Sequence, residues 1–229
     1  MKKRSKRYKE LTKLSTKGKK TELKNIFELV KKTSTTKFDE SIDVSLRINL
    51  KQSKGGDFSL RTIIKLPDGS GKKSKIAVLC ESDKIEEAKK SGAEIVGSDD
   101  LLQQIASGKF NFDKLICTPG MMSKVGKHGK VLGPKGLMPN PKLGTVTSDI
   151  KKSVQDIKNG LVEIKNDKDG NLASTIGRKS FSNEKLLNNY NYFIDSIKKE
   201  KPSAIKGEFI KNIFITSTMG ISYKVGGRN

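Results

Sequence analysis

Cysteine, histidine and arginine are all scarce in this 229-residue chain, at two, one and six residues. Cys80 and Cys117 are too few and too far apart for a disulfide framework or a four-cysteine zinc site, so two buried, reduced thiols are expected, near each other at the ends of two neighbouring strands. The single histidine, His128, has no second histidine and no nearby cysteine with which to hold a metal. No nucleophile-elbow pattern surrounds a serine, so a Ser–His–Asp triad has no support either. Long apolar runs are missing: no stretch approaches the roughly 18 residues of a membrane span. The basic N-terminus is not followed by a hydrophobic core, so no secretory signal is expected. Met1–Lys20 also lacks the Arg-rich amphipathy of a mitochondrial leader. Acid is in short supply, with 25 Asp plus Glu against 47 Lys plus Arg, for a net charge of +22.

That surplus calls for an anionic partner, and nucleic acid is the commonest. Of the basic residues 41 are lysine. Lysine is a point charge suited to phosphate oxygens, whereas bidentate base reading favours arginine. The composition therefore describes a binder of backbone and shape that reads sequence at few positions.

The pattern along the chain changes twice. Residues 1–20 hold ten basic side chains and one acid, Glu10, which predicts an arm disordered until it meets phosphate. Leu23, Ile26, Phe27 and Val30 then follow helical spacing, with Thr21 as the expected cap. Ile42, Val44, Leu46, Ile48 and Leu50 alternate as in a half-solvated antiparallel strand, and Gly55–Asp57 turns the chain into a second strand, Phe58–Leu66. From Pro67 the grammar differs: short apolar strands (Lys75–Cys80, Glu94–Gly97, Lys114–Thr118) alternate with ten-residue helical stretches, as in βαβ units around a buried parallel sheet. After Asp149 the first grammar returns. A short helix through Ile150, Val154 and Ile157, with Ser148 as its expected cap, precedes a hairpin of Leu161–Ile164 and Leu172–Ile176 around Asn166–Gly170. A long helix capped by Ser182 and two strands near Phe209–Ser217 and Ile221–Val225 complete the pattern.

The expected fold is an α+β discontinuous domain, an antiparallel-rich sheet with helices, interrupted by an inserted α/β Rossmann-like domain. Residues 1–66 plus 157–229 form domain I, and 67–156 form domain II. Domain II holds 15 basic and 11 acidic residues, which leaves +18 on domain I as the main polyanion binder.

Two phosphate motifs fail. Gly69–Ser74 resembles a phosphate loop, but Leu66 stands where the first glycine belongs and Lys73 replaces the required Ser or Thr. The turn at Glu81–Asp83 has no glycine to admit a pyrophosphate, which weighs against a nucleotide-dependent enzyme. Gly126–Gly129 matches the G-x-x-G clamp of KH domains without its flanking helices. The dense segment is residues 119–145, with six Gly, four Pro, five Lys, three Met and no acid. Its prolines and its apolar Val131, Leu132, Leu137 and Met138 predict a rigid, partly packed functional loop rather than a linker.

The run from Gly129 through Val146, reading GKVLGPKGLMPNPKLGTV, resembles the signature of the L-one family of large-subunit ribosomal proteins, the family of the mobile side stalk. Thr36–Ser41, Asn166–Lys168, Gly177–Phe181 and Ser217–Gly220 resemble it as well, so the likeness covers nearly the whole chain. Ile221 stands where the family usually has proline, and Arg178 where lysine is common. The resemblance implies binding to the stalk region of 23S-type rRNA, help in releasing exit-site tRNA, and repression of its own operon by binding that mRNA. It also implies a ribosome-bound, cytoplasmic protein, monomeric when free, with no enzyme activity, cofactor or metal.

The RNA-binding candidates are Lys37, Phe38, Glu40, Lys168, Arg178, Lys179, Lys206, Ser217, Thr218, Met219 and Gly220. Phe38 either lies against a base or ribose while Lys37 meets phosphate, or packs under the sheet. Thr218 and Gly220 either approach 2′-hydroxyls or merely end a strand. Lys168, Arg178 and Lys206 are phosphate candidates or solvated charges. Lys130, Gly133, Lys135, Gly136 and Lys142 form a second group, for further RNA or for interdomain docking. An RNA-binding regulator that never joins a ribosome fits the same residues.

Overall fold

The computed structural model describes residues 4–15, 20–49, 60–72, 74–108, 110–202, 205 and 207–226. In chain order the first elements are helix α1 (Lys6–Lys13), strand β1 (Lys20–Glu22), helix α2 (Leu23–Thr33), and strands β2 (Ser41–Ile48) and β3 (Arg61–Lys65). Next come β4 (Ile76–Leu79), α3 (Ile85–Lys90), β5 (Ile95–Gly97), α4 (Asp99–Ala106), β6 (Lys114–Cys117), α5 (Met122–Gly126), α6 (Gly129–Leu132) and α7 (Ile150–Lys158). The chain ends with β7 (Leu161–Lys165), β8 (Asn171–Arg178), α8 (Asn183–Lys199), β9 (Ile210–Ser217) and β10 (Tyr223–Gly226). The fold is a mixed α+β one, divided into two compact units: Met1–Gly71 with Val162–Asn229, and Lys72–Leu161.

The first unit is built on a five-stranded sheet in the order β1-β10-β9-β2-β8, beside a two-stranded sheet of β3 and β7. Strand β2 explains its own place. Its alternation buries Ile42, Val44, Leu46 and Ile48 at 2% exposure or less, and the intervening residues face the other way. α2 and α8 bring Ile26, Phe27, Val30, Leu186, Tyr190, Phe193 and Ile197 into the same core. Ser182 caps α8 as expected, accepting from the Lys185 N–H at 3.3 Å.

In the second unit, β4 lies between β5 and β6, all parallel. Ala77 and Leu79 pack on one face with α4, and Ile76 and Val78 on the other with α3 and α7. The two-sided burial accounts for the continuous apolar run.

Five expectations are corrected. The basic arm is not structureless over its described part: α1 forms there, capped by Ser5 and anchored by Leu11, which is 4% exposed. Burying such a leucine is worth about 1.5–3 kcal/mol, enough to fix a helix too short to persist alone. Thr21 does not cap α2; it lies in β1, and Glu22 holds the cap position without a side-chain hydrogen bond. Asp149, not Ser148, caps α7, accepting from the Lys152 N–H. β7 and β8 are not a hairpin, because β7 pairs with β3 and β8 with β2. The turn between them is tight nonetheless: the Asp167 carboxylate accepts from the N–H groups of Asp169 and Asn171, and Gly170 adopts φ 80°. The two thiols are both fully buried on adjacent strands, but on opposite faces. Cys117 is registered with Leu79, which places Cys80 one residue further and in the other cluster. The start of the expected strand at Phe58, the turn at Gly55–Asp57 and Leu50 lie outside the described residues.

Candidate nucleic-acid interface

Antiparallel pairing fixes what stands together at one end of the five-stranded sheet. β2 starts at Ser41 where β8 and β9 finish, with Ser41 registered to Arg178 and Ile42 to Ser217. The loop before β2 and the turns after β8 and β9 therefore converge. An irregularity between Ile42 and Asp43 in the β2–β8 pairing leaves Ile176 unmatched, the kind of bulge that re-aims the residues beyond it.

Glu40 is the centre of this group. It has no exposed surface. Its Oε1 accepts from the Thr36 hydroxyl at 2.8 Å and the Thr36 N–H at 3.3 Å, and its Oε2 from the Met219 N–H at 3.0 Å. Burial by itself would raise its pKa, but these donors outweigh it and hold the carboxyl below its ordinary value. The Ser217 hydroxyl favours the carboxylate from outside hydrogen-bonding geometry. The carbonyl of Glu40 accepts from the Lys179 N–H at 2.9 Å. Ser217, at 2% exposure, is buried beside it.

Around Glu40 the apolar side chains turn outward. Phe38 is 54% exposed and Met219 50% exposed, each on its own loop. Phe38 is thus no core residue. Asp39 fixes its neighbours by accepting from the Ser180 N–H at 3.1 Å and the Ser180 hydroxyl at 2.8 Å. Arg178 lies near Asp39, with Nη1 3.4 Å from the carbonyl and 4.0 Å from the carboxylate. Lys179 donates to the Ser34 carbonyl at 2.5 Å, while Lys37 is exposed. From α1, Arg7 reaches the Met219 carbonyl at 2.7 Å and the Thr35 hydroxyl at 3.1 Å.

Thr218 is exposed, but its hydroxyl is engaged: it accepts from the Ser41 N–H at 3.0 Å, and the Thr218 N–H donates to the Ser41 carbonyl at 3.1 Å. Gly220 is required for close approach, since a Cβ there would stand 2.3 Å from Ser217 Oγ.

Lys37, Phe38, Glu40, Arg178, Lys179, Ser217, Thr218, Met219 and Gly220 are therefore brought together. Two of them, Glu40 and Ser217, are placed among contact residues by the sequence but lie beneath the surface. Lys168 stands elsewhere. It is on the turn before β8, about 20–25 Å away at roughly 3.3 Å per residue along an eight-residue strand. Lys206 lies outside the described residues. Arg7 and Thr35 join the group without any signal in their local sequence, and Asp39 joins it from within the Thr36–Ser41 segment.

The second group lies within Lys72–Leu161. Leu132 and Leu143 are buried and Leu137 and Met138 pack on the core, so the 119–145 segment is partly packed, as its composition requires. Lys130 and Lys142 are exposed, and Lys135 Nζ sits 4.1 Å above the Phe110 ring. Gly136 takes φ 68°, and a Cβ on Gly133 would meet the Gly129 carbonyl at 2.8 Å. Among the described residues no cluster of three or more His, Cys, Asp or Glu is arranged for a metal, and no helix is long and apolar enough to cross a membrane.

Exposed Phe38 and Met219 thus stand beside Lys37, Arg178 and Arg7 at one end of the sheet. The chain belongs to the Ribosomal protein L1p/L10e family, whose model matches residues 30–221. It is 54% identical over 222 residues to the large ribosomal subunit protein uL1 of Pelagibacter ubique, covering 96% of each chain. It is 47% identical over 225 residues to the protein of that name from Kosmotoga olearia, covering 98% of this chain and 97% of the relative. Both relatives are named as ribosomal proteins, not as enzymes.

Proposed function

We propose that this protein is a constituent of the large ribosomal subunit that binds the stalk region of its rRNA through the sheet end of the first unit. The observation that carries this is the pairing of exposed Phe38 and Met219, on loops held by Glu40, with Lys37 and with Arg178 at the end of β8. Phe38 stacks on an unpaired base or ribose, Met219 and Gly220 fit the RNA surface closely, and the cations meet phosphates. Lys168, Lys179 and Lys206 add phosphate contacts. Residues 1–66 with 157–229 act as the primary RNA-binding domain. Residues 67–156 act as an inserted Rossmann-like domain whose Lys130, Gly133, Lys135, Gly136 and Lys142 meet a second RNA. The parallel β5-β4-β6 order supports the Rossmann-like reading. The same surface binds the operon mRNA in repression, and the protein assists release of exit-site tRNA. It acts in the cytoplasm on the ribosome and is a monomer when free.

Sedimentation of the tagged protein through a sucrose cushion with large subunits, after a moderate salt wash, tests this. Co-sedimentation lost on Phe38→Ala or Met219→Ala is expected. A protein that stays at the top of the gradient with intact subunits present overturns it.

A further inference from the structure

Met219 is gripped at both of its backbone polar groups. Its N–H donates to Glu40 and its carbonyl accepts from Arg7. Each gripping residue also holds the facing loop: Glu40 takes both Thr36 donors, and Arg7 donates to the Thr35 hydroxyl. The turn after β9 and the loop before β2 are thus tied twice, by a buried acid from within and by a guanidinium delivered on α1.

Arg7 differs from the other cations of its segment. Arg4 is exposed and stacks over Tyr8 at 4.9 Å. Arg7 is half-buried, and two of its nitrogens are committed to protein oxygens. Its helix is pinned by Leu11, so its reach is fixed by the fold. A planar fork can address two acceptors at once, which a lysine ammonium on a flexible stem does poorly. A side chain held in place before binding loses less freedom when it binds.

We propose that Arg7 and Glu40 form a two-sided clamp that presents Met219, and that Arg7 sets specificity by positioning rather than by touching phosphate. This rests on the reading of the sheet end as the RNA interface. Arg7→Lys keeps the charge but breaks the bridge. Glu40→Gln keeps an acceptor for Thr36 while turning an amide NH2 toward the Met219 N–H.

The test is equilibrium titration of the full chain with a stalk rRNA fragment and with an unrelated hairpin, across a salt series. A ¹³C-methyl spectrum of Met219 in the RNA-free protein accompanies it, and circular dichroism confirms folding. Arg7→Lys and Glu40→Gln should each weaken the stalk RNA about three- to tenfold, the ordering of roughly one side chain. The hairpin affinity and the Arg7→Lys salt slope should be unchanged. The Met219 methyl should move toward its random-coil position in both variants. The double variant should lose less than the product of the single losses, because the two act on one element.

Stalk affinity for Arg7→Lys within twofold of wild type overturns the clamp. So does Arg7→Ala weakening both RNAs alike while flattening the salt slope by just under one, the mark of a phosphate contact. If Glu40→Gln does not fold, the Arg7→Lys arm decides alone. If the wild type itself prefers neither RNA, the interface reading fails, and the methyl spectrum still judges the clamp.

Discussion

Phe38→Ala isolates recognition from charge. The side chain is 54% exposed and carries no bond that holds the fold. Full burial of a phenylalanine is worth about 1.5–3 kcal/mol, so losing the half that is buried here lowers stability by about 1 kcal/mol. A base stacked on the ring contributes about 1–3 kcal/mol. The stalk fragment should therefore bind roughly 5- to 150-fold more weakly. A random hairpin, held mainly by lysines, should bind nearly as before. Net charge is untouched, so the dependence of log affinity on log salt should keep its slope, whereas Lys37→Ala should flatten it by somewhat under one unit for both RNAs. Fluorescence anisotropy titration at four salt concentrations reads all of this. Stalk-RNA affinity for Phe38→Ala within twofold of wild type would refute the stacking argument.

Thr218→Val should act on stability before it acts on RNA, because the Ser41 N–H loses its acceptor. At a strand end open to water the cost should be about 1 kcal/mol, or about 2–4 °C in Tm, and an unchanged Tm would show the bond to be immaterial. Glu40, with its folded pKa below the ordinary value of 4.5, contributes stability that is complete above that pH and is lost as pH falls through the folded value. Acid unfolding followed by circular dichroism should begin below about pH 4.5 and shift in Glu40→Gln; identical acid transitions would contradict this. Tyr190, whose hydroxyl is buried without a partner among the described residues and whose pKa burial pushes up to about 12, should be replaceable by phenylalanine with equal or higher Tm. Neither thiol should react quickly with a bulky reagent in the folded protein, since burial pushes Cys117 up to about 11 and raises Cys80 as well; fast labelling would show that the sheet opens.

Elements defined by their own periodicity were legible in the chain. The alternation of Ile42 to Ile48 names the buried face of β2, and the short apolar runs name the parallel strands. Partnerships between distant segments were not legible. Asn166–Gly170 closes a tight turn and reads as a hairpin, yet β7 takes β3 as its partner, joined across by the Arg61–Glu163 ion pair at 2.8 Å. Register obeys burial, and the core beneath β3 and β7 outweighs the local turn. The site shows the same limit. Motif resemblance found Phe38, Arg178 and Ser217–Gly220, because each stands in a compact segment. Arg7 looked like one more cation of a basic arm, since its partner Met219 is 212 positions away. Glu40 reads as a contact residue in sequence, and only its burial shows it to be a support.

Met219 and its neighbours are proposed to face stalk rRNA in the assembled subunit. A photoreactive residue placed at position 219 of the full chain, incorporated into large subunits and irradiated, tests this directly by mapping the rRNA adduct. The account predicts one dominant adduct within the stalk region, abolished by excess free stalk fragment during assembly. Subunits that retain the protein but carry no adduct there, with crosslinks instead to ribosomal protein or to distant rRNA, would contradict it.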